Sequence, residues 1–293
     1  MFEGFDLTTI DTGNVQIRAR IGGSGPPLLL LHGNPQTHLM WHKVVPALRE
    51  HFTLVATDLT GYGRSTKPPS SPDHAAYAKR AMAADQVAVM RKLGFERFRV
   101  AGHDRGGRVG YRMALDHPAV VERLAVLDIV PTGEAFARGG REFGLGYYHW
   151  FFLAQPAPLP ERLIGADPEW FWRWHTLRGQ AGDTFTPAAL DDYLECFRNP
   201  ETIRAICEDY RAAASIDCEH DAADRQAGRQ IRCPVLVLWG AKARLEAWYE
   251  DTVAVWREWA SDVRGESLPC GHYLPEEQPQ RTAAALLEFF RTT

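Results

Sequence analysis

Short apolar runs separated by polar, glycine-bearing turns dominate the first 130 positions of the chain. Leu28 to Leu31, Phe52 to Ala56, Phe98 to Ala101 and Leu124 to Leu127 are continuous rather than alternating, as expected of parallel strands buried on both faces. Val15 to Arg20 alternates and reads as an edge strand, while Asp85 to Leu93 has the spacing of a crossover helix. After about Pro131 the strand pattern stops. Tyr147 to Leu153, Trp170 to Trp174, Leu190 to Phe197 and Thr202 to Ala214 read as helices, with loops at Gln155 to Pro160 and Arg198 to Pro200. Strand runs resume at Pro234 to Gly240 and Val263 to Leu268, and a helix from about Gln278 to Phe290 follows. The pattern predicts an α/β core from residues 1–130 and 226–293, a mainly parallel sheet flanked by helices, with a helical cap at 131–225.

Composition and charge narrow the function classes. With 293 residues, 45% of them apolar, the chain can bury one large core plus an inserted lobe. Its formal charge of −4 and lack of any basic run give nucleic acid or a polybasic membrane contact no electrostatic footing. No apolar stretch approaches the roughly 18 residues of a membrane helix, and the start lacks a signal-like basic and apolar region. A cytoplasmic protein acting on small molecules is expected. The five cysteines are widely spaced and never form C-x-x-C, so neither a disulfide framework nor a zinc site is expected.

Candidate chemistry gathers at the carboxyl ends of the strands, where open α/β sheets bind ligands. Phe98 to Gly110 reads as strand, tight turn and helix start, with Gly102-His103-Asp104-Arg105-Gly106 in the form of a nucleophile elbow. Its centre is Asp104, not serine, and no G-x-S-x-G occurs elsewhere. An isolated aspartate there would be an ordinary helix N-cap. Its company changes that: His32-Gly33-Asn34-Pro35 upstream, Asp128 at a later strand end, and Gly271-His272 near the carboxyl terminus. A carboxylate attacking an ester would form a labile anhydride, whereas displacement at saturated carbon leaves an ester that water can hydrolyse. The second step needs a base, expected at His272, oriented by an acid. The turn after Val235 to Leu238 offers no acid, so Asp128 takes that place.

Together these motifs resemble the α/β-hydrolase fold and, within it, the haloacetate dehalogenases, including those acting on fluoroacetate. The resemblance spans essentially the whole chain and is most specific in Asp104-Arg105-Gly106-Gly107-Arg108, His149-Trp150 and Tyr210. It implies Asp104, Asp128 and His272 as the catalytic residues, Arg105 and Arg108 on a substrate carboxylate, and His149, Trp150 and Tyr210 around the departing halide. Backbone N–H groups of Asn34 and Arg105 would form an oxyanion hole. The implied substrate is a small anionic 2-haloacetate, handled without metal or cofactor, in a possible homodimer. Two departures stand out: Asn34, where relatives often carry Phe, and the segment 170–186, where Trp172, Trp174 and His175 precede Leu177-Arg178-Gly179-Gln180 without a clear counterpart to a tryptophan of fluoroacetate-active relatives. The first bears on the pocket wall and water access, with the backbone donor kept, and the second on the preference for fluoride. An epoxide hydrolase, with Tyr210 and Tyr147 or Tyr148 protonating the epoxide oxygen, and a catalytically idle ligand-binding homologue are the competing readings.

Overall fold

The computed structural model describes residues 1–177 and 184–291. Eight strands form one sheet: β1 (Asp6–Asp11), β2 (Gln16–Gly23), β3 (Pro27–Leu31), β4 (Thr53–Thr57), β5 (Phe98–His103), β6 (Val121–Leu127), β7 (Val235–Gly240) and β8 (Val263–Leu268), in the order β1-β2-β4-β3-β5-β6-β7-β8. From β4 to β8 every pairing is parallel, and β2 runs antiparallel to both of its neighbours, β1 and β4. The central strands are almost wholly buried because helices cover both faces, which explains their unbroken apolar runs.

The strand read as an edge is β2, and it lies between β1 and β4. Its alternation reports one covered face, with Ile17 and Ala19 buried and Gln16 exposed, rather than a missing neighbour. The true edge, β1, carries no continuous buried face and therefore no readable pattern; its Leu7 is exposed. The other edge, β8, is also exposed through most of its length.

Two core helices position the chemistry. Helix α1 (Lys79–Lys92) is the crossover into β5, and α2 (Arg105–Asp116) leaves β5 through the elbow. Between β6 and β7 the chain is helical: α3 (Thr132–Ala137), α4 (Arg141–Gly146), α5 (Tyr148–Leu153), α6 (Leu159–Ala166), α7 (Pro168–Leu177), α8 (Pro187–Phe197), α9 (Pro200–Ala214) and α10 (Ile216–Gln226). Part of the expected 155–160 loop is the first turn of α6, which accommodates Pro160 because the opening residues of a helix have no N–H to lose. Leu177 ends α7, whereas Arg178, Gly179 and Gln180 of the departing segment lie outside the described residues. The closing helix is α11 (Pro279–Arg291). Among the described residues no helix is long and apolar enough to cross a membrane, and no cluster of potential metal ligands occurs.

Candidate active site

The sheet order reverses direction at β3, with β4 on one side and β5 on the other, so the ends of β3 and β5 flank a crevice. Register pairs Leu31 with Gly102, His103 with Leu127 and Leu127 with Leu238. The turns after β3, β5, β6 and β7 are therefore brought side by side. A cavity of about 610 Å³ opens there, lined in part by Asn34, Asp104, Arg108, Asp128, His149, Trp150, Tyr210 and His272.

Asp104 sits at φ 45° and ψ −115°, a backbone state that costs a non-glycine residue about 1–3 kcal/mol. Small neighbours make the turn possible. A Cβ on Gly102 would lie 2.3 Å from the Gly106 carbonyl oxygen, and one on Gly106 would lie 2.5 Å from the carbonyl oxygens of Leu31 and His32. Although Asp104 occupies the N-cap position of α2, its carboxylate makes no capping bond to that helix. Instead Oδ2 accepts the Asn34 backbone N–H at 2.9 Å. His32 holds that donor in place: its Nδ1–H donates to the Gly33 carbonyl at 2.8 Å while Nε2 accepts from the Leu59 N–H at 3.0 Å. Burial lowers the His32 pKa, consistent with this neutral role. The other expected donor, the N–H of Arg105, opens α2 and so has no partner within the helix.

His272 reaches the cavity from the turn beyond β8, with Nδ1 at 2.5 Å from Asp128 Oδ2. The second Asp128 oxygen accepts the Gly240 N–H at 3.0 Å, which fixes the carboxylate's orientation. Burial alone would lower the His272 pKa, but the hydrogen bond and charge of Asp128, followed by the charge of Asp104, raise it. Conversely, burial would raise Asp104, yet His272, Arg105 and Arg108 together hold it below the ordinary aspartate value. His103, the elbow residue before Asp104, is fully buried and burial pushes its pKa down to about 3. Its neutral ring donates from Nε2 to the His272 carbonyl at 2.8 Å, tying the base's turn to the elbow.

The two arginines occupy different places. Arg108 lines the cavity and stacks over Trp150 at 4.5 Å, donating to the Val130 carbonyl at 2.8 Å and Thr132 Oγ1 at 3.2 Å. Arg105 lies outside that lining, and its three guanidinium nitrogens have no hydrogen-bond partner among the described residues. Its fully buried guanidinium lies over the Tyr210 ring, 3.5 Å from the centroid, and 3.5 Å from Asp209. A buried cation requires a compensating anion, and Asp209 supplies it while also holding Lys79 and accepting from the Tyr62 hydroxyl.

Around the inner wall, His149 and Trp150 from α5 meet Tyr210 from α9, with ring centroids 5.7 and 6.2 Å from the phenol. The Asn34 amide donates to the Tyr210 hydroxyl at 3.4 Å, so the departure at this position makes the wall more polar. His175, 4.4 Å from His149 between ring centroids, belongs to the same lining, as do Tyr147, Thr176, Tyr273, Lys242, Arg244 and Glu277. Sequence reading assigned no role to Lys242 or Arg244, although their place after a core strand was a usable signal.

Comparison with known proteins agrees with this fold. A family profile described as the α/β-hydrolase fold matches residues 26–279. A fluoroacetate dehalogenase from Burkholderia sp is 49% identical over 99% of this chain and 95% of its own length. A soluble epoxide hydrolase from Corynebacterium sp. (strain C12) is 34% identical over 92% of this chain and 91% of its own. Among solved structures, a protein from Nostoc sp PCC 7120 described as an α/β-hydrolase superposes with a TM-score of 0.97 at 53% identity, covering 100% of both chains. One from Pseudomonas aeruginosa described as an epoxide hydrolase has a TM-score of 0.92 at 46% identity, covering 98% of this chain and 96% of its own. The chain belongs to the α/β-hydrolase family and is a fluoroacetate-dehalogenase-like member of it.

Proposed function

We propose that the protein hydrolyses 2-haloacetates, fluoro-, chloro- or bromoacetate, to glycolate and halide through an ester on Asp104. The carrying observation is an aspartate, not a serine, at the strained elbow, in one cavity with a His–Asp pair and the Arg108 cation. In the first step an Asp104 oxygen attacks the α-carbon, the carbon–halogen bond breaks, and halide leaves with the bonding pair. No proton moves. In the second step His272 takes a proton from water as the oxygen attacks the Asp104 carbonyl; the tetrahedral intermediate collapses, its remaining hydroxyl proton passes to the departing glycolate oxygen, the Asp104 carboxylate is regenerated, and His272 releases its proton to solvent. Charge developing on the Asp104 oxygen is met by the Asn34 N–H already 2.9 Å away.

Two like charges must meet in the first step. A substrate carboxylate about 4 Å from Asp104 costs about 4 kcal/mol at an effective dielectric near 20. Arg108 and Arg105, both of which lower the pKa of Asp104 by their charge, offset this and receive the substrate carboxylate. His149, Trp150 and Tyr210 place imidazole, indole and phenol donors around the departing halide. Burial raises the Tyr210 pKa, so its hydroxyl keeps the proton it donates. The helices between β6 and β7 act as the cap that closes this space.

The test is halide and glycolate release from fluoro-, chloro- and bromoacetate, with Asp104→Asn as control. Single turnover in heavy-oxygen water should place label in the enzyme carboxylate, and label found only in glycolate would overturn the ester route. The nearness of Tyr147 and Tyr210 in one cavity also suits protonation of an epoxide oxygen. Turnover of styrene oxide without turnover of any haloacetate would make that second reading the correct one.

A further inference from the structure

The turn after β7 presents Lys242 and Arg244 to the cavity, and both side chains are exposed. Among the described residues neither forms an ion pair. Their backbone is held firmly. Ala241 N–H donates to the Leu268 carbonyl at 2.8 Å, Lys242 N–H to Cys270 at 2.8 Å and Ala243 N–H to Gly240 at 2.9 Å. A Cβ on Gly240 would lie 2.0 Å from the Gly271 carbonyl oxygen, so this turn and the turn bearing His272 are in direct contact. Glu277, an acid of the same lining, is already engaged: its two oxygens accept the Gly271 and Tyr273 N–H groups at 2.7 and 2.9 Å.

A chain of net charge −4 repels a small anion on average, and the cavity itself holds Asp104 and Asp128. Two exposed cations on its lining supply positive charge along the approach, and low-dielectric walls concentrate their field there. We infer that Lys242 and Arg244 form a capture site for monoanionic carboxylates, drawing them into the cavity and toward Arg108. The inference rests on the anionic-substrate reading above. It assigns to the place after β7 a role in substrate capture.

The experiment compares the full chain with Lys242→Gln/Arg244→Gln and with Lys242→Glu/Arg244→Glu. Chloroacetate turnover is followed across ionic strength, alongside calorimetric binding of acetate, which needs no turnover. In the parent, kcat/KM should fall as salt is added. The neutral variant should lose about tenfold in kcat/KM at low salt, keep kcat, and show a flattened salt dependence. The charge-reversed variant should lose more, and added salt should raise its kcat/KM. Acetate affinity should weaken in the same order. Unchanged kcat/KM and salt slope, equal losses in both variants, or equal acetate affinity in all three proteins would overturn the inference. Absence of haloacetate turnover in the parent would defeat the proposed activity, while the acetate series would still decide the capture site.

Discussion

Replacing Asp128 with Asn separates the two chemical steps. His272 Nδ1 lies 2.5 Å from Asp128 Oδ2, with the Asp128 side chain fully buried and that of His272 24% exposed. Water activation makes His272 an imidazolium, and the carboxylate stabilises that charge. With charge centres about 4 Å apart and an effective dielectric near 20, the attraction is about 4 kcal/mol, equivalent to roughly a thousandfold in rate. Solvent at the exposed edge of His272 reduces it, so ester hydrolysis in Asp128→Asn should slow by about 10²- to 10³-fold. Halide displacement transfers no proton and should stay near the parent rate. Rapid mixing with bromoacetate should therefore give a burst of one halide per enzyme followed by slow turnover. Intact-protein mass should show one added carboxymethyl group, mapped to Asp104 by peptide analysis. Equal slowing of burst and steady state, or a variant turning over at the parent rate without accumulating ester, would refute this division of labour.

Arg108→Gln should raise KM for haloacetates, with a loss in kcat/KM of about 10- to 100-fold from one charge-assisted contact; an unchanged KM in a folded variant would remove Arg108 from the substrate site. Because the His272 pKa is raised and Asp104 is held low, acidification should stall hydrolysis while displacement continues. Ester should then accumulate near pH 5 and not at pH 8, as acid-quenched mass spectra would show. Gly106→Ala would bring a Cβ against two backbone carbonyls at 2.5 Å and should lower Tm markedly, whereas a variant as stable as the parent would mean that the elbow is less tight than described. Burial raises Glu276 to about 7, so its protonated form is favoured in the fold and that contribution is lost as pH rises through about 7. Glu276→Gln should therefore gain stability relative to the parent at pH 8 compared with pH 5, a difference that thermal melts at the two pH values would measure.

Much of the architecture was legible from local pattern. Both-face burial makes parallel strands into continuous apolar runs, so β3 to β7 stood out and the absence of strands between residues 131 and 225 marked the helical insertion. The elbow was legible for a similar reason, since a strained turn with glycines on both sides leaves a short signature around Asp104. The chemistry of that residue type separated displacement at carbon from ester cleavage before any contact was known. Where a strand has no continuous buried face the signal disappears, as in β1, and helices such as α3, α4 and α10 left no periodicity strong enough to read.

Residue order along the chain determined that an aspartate, an acid and a histidine follow three of the strands, β5, β6 and β8, with aromatic and cationic residues available to a cavity. Only the tertiary structure decided which of these share it. The pairing of Asp128 with His272 spans 144 positions and depends on the adjacency of β6, β7 and β8. Arg105 and Arg108 lie one helical turn apart on the same helix. Even so, Asp209, brought in from α9, lies against Arg105 and Tyr210 packs over its guanidinium, whereas Arg108 lines the cavity. His175 and the Lys242–Arg244 pair join the lining for the same reason. Local sequence specifies the conformation of a segment, whereas the groups opposite a side chain are set by long-range packing, and packing decides whether a buried charge is neutralised or left facing a ligand.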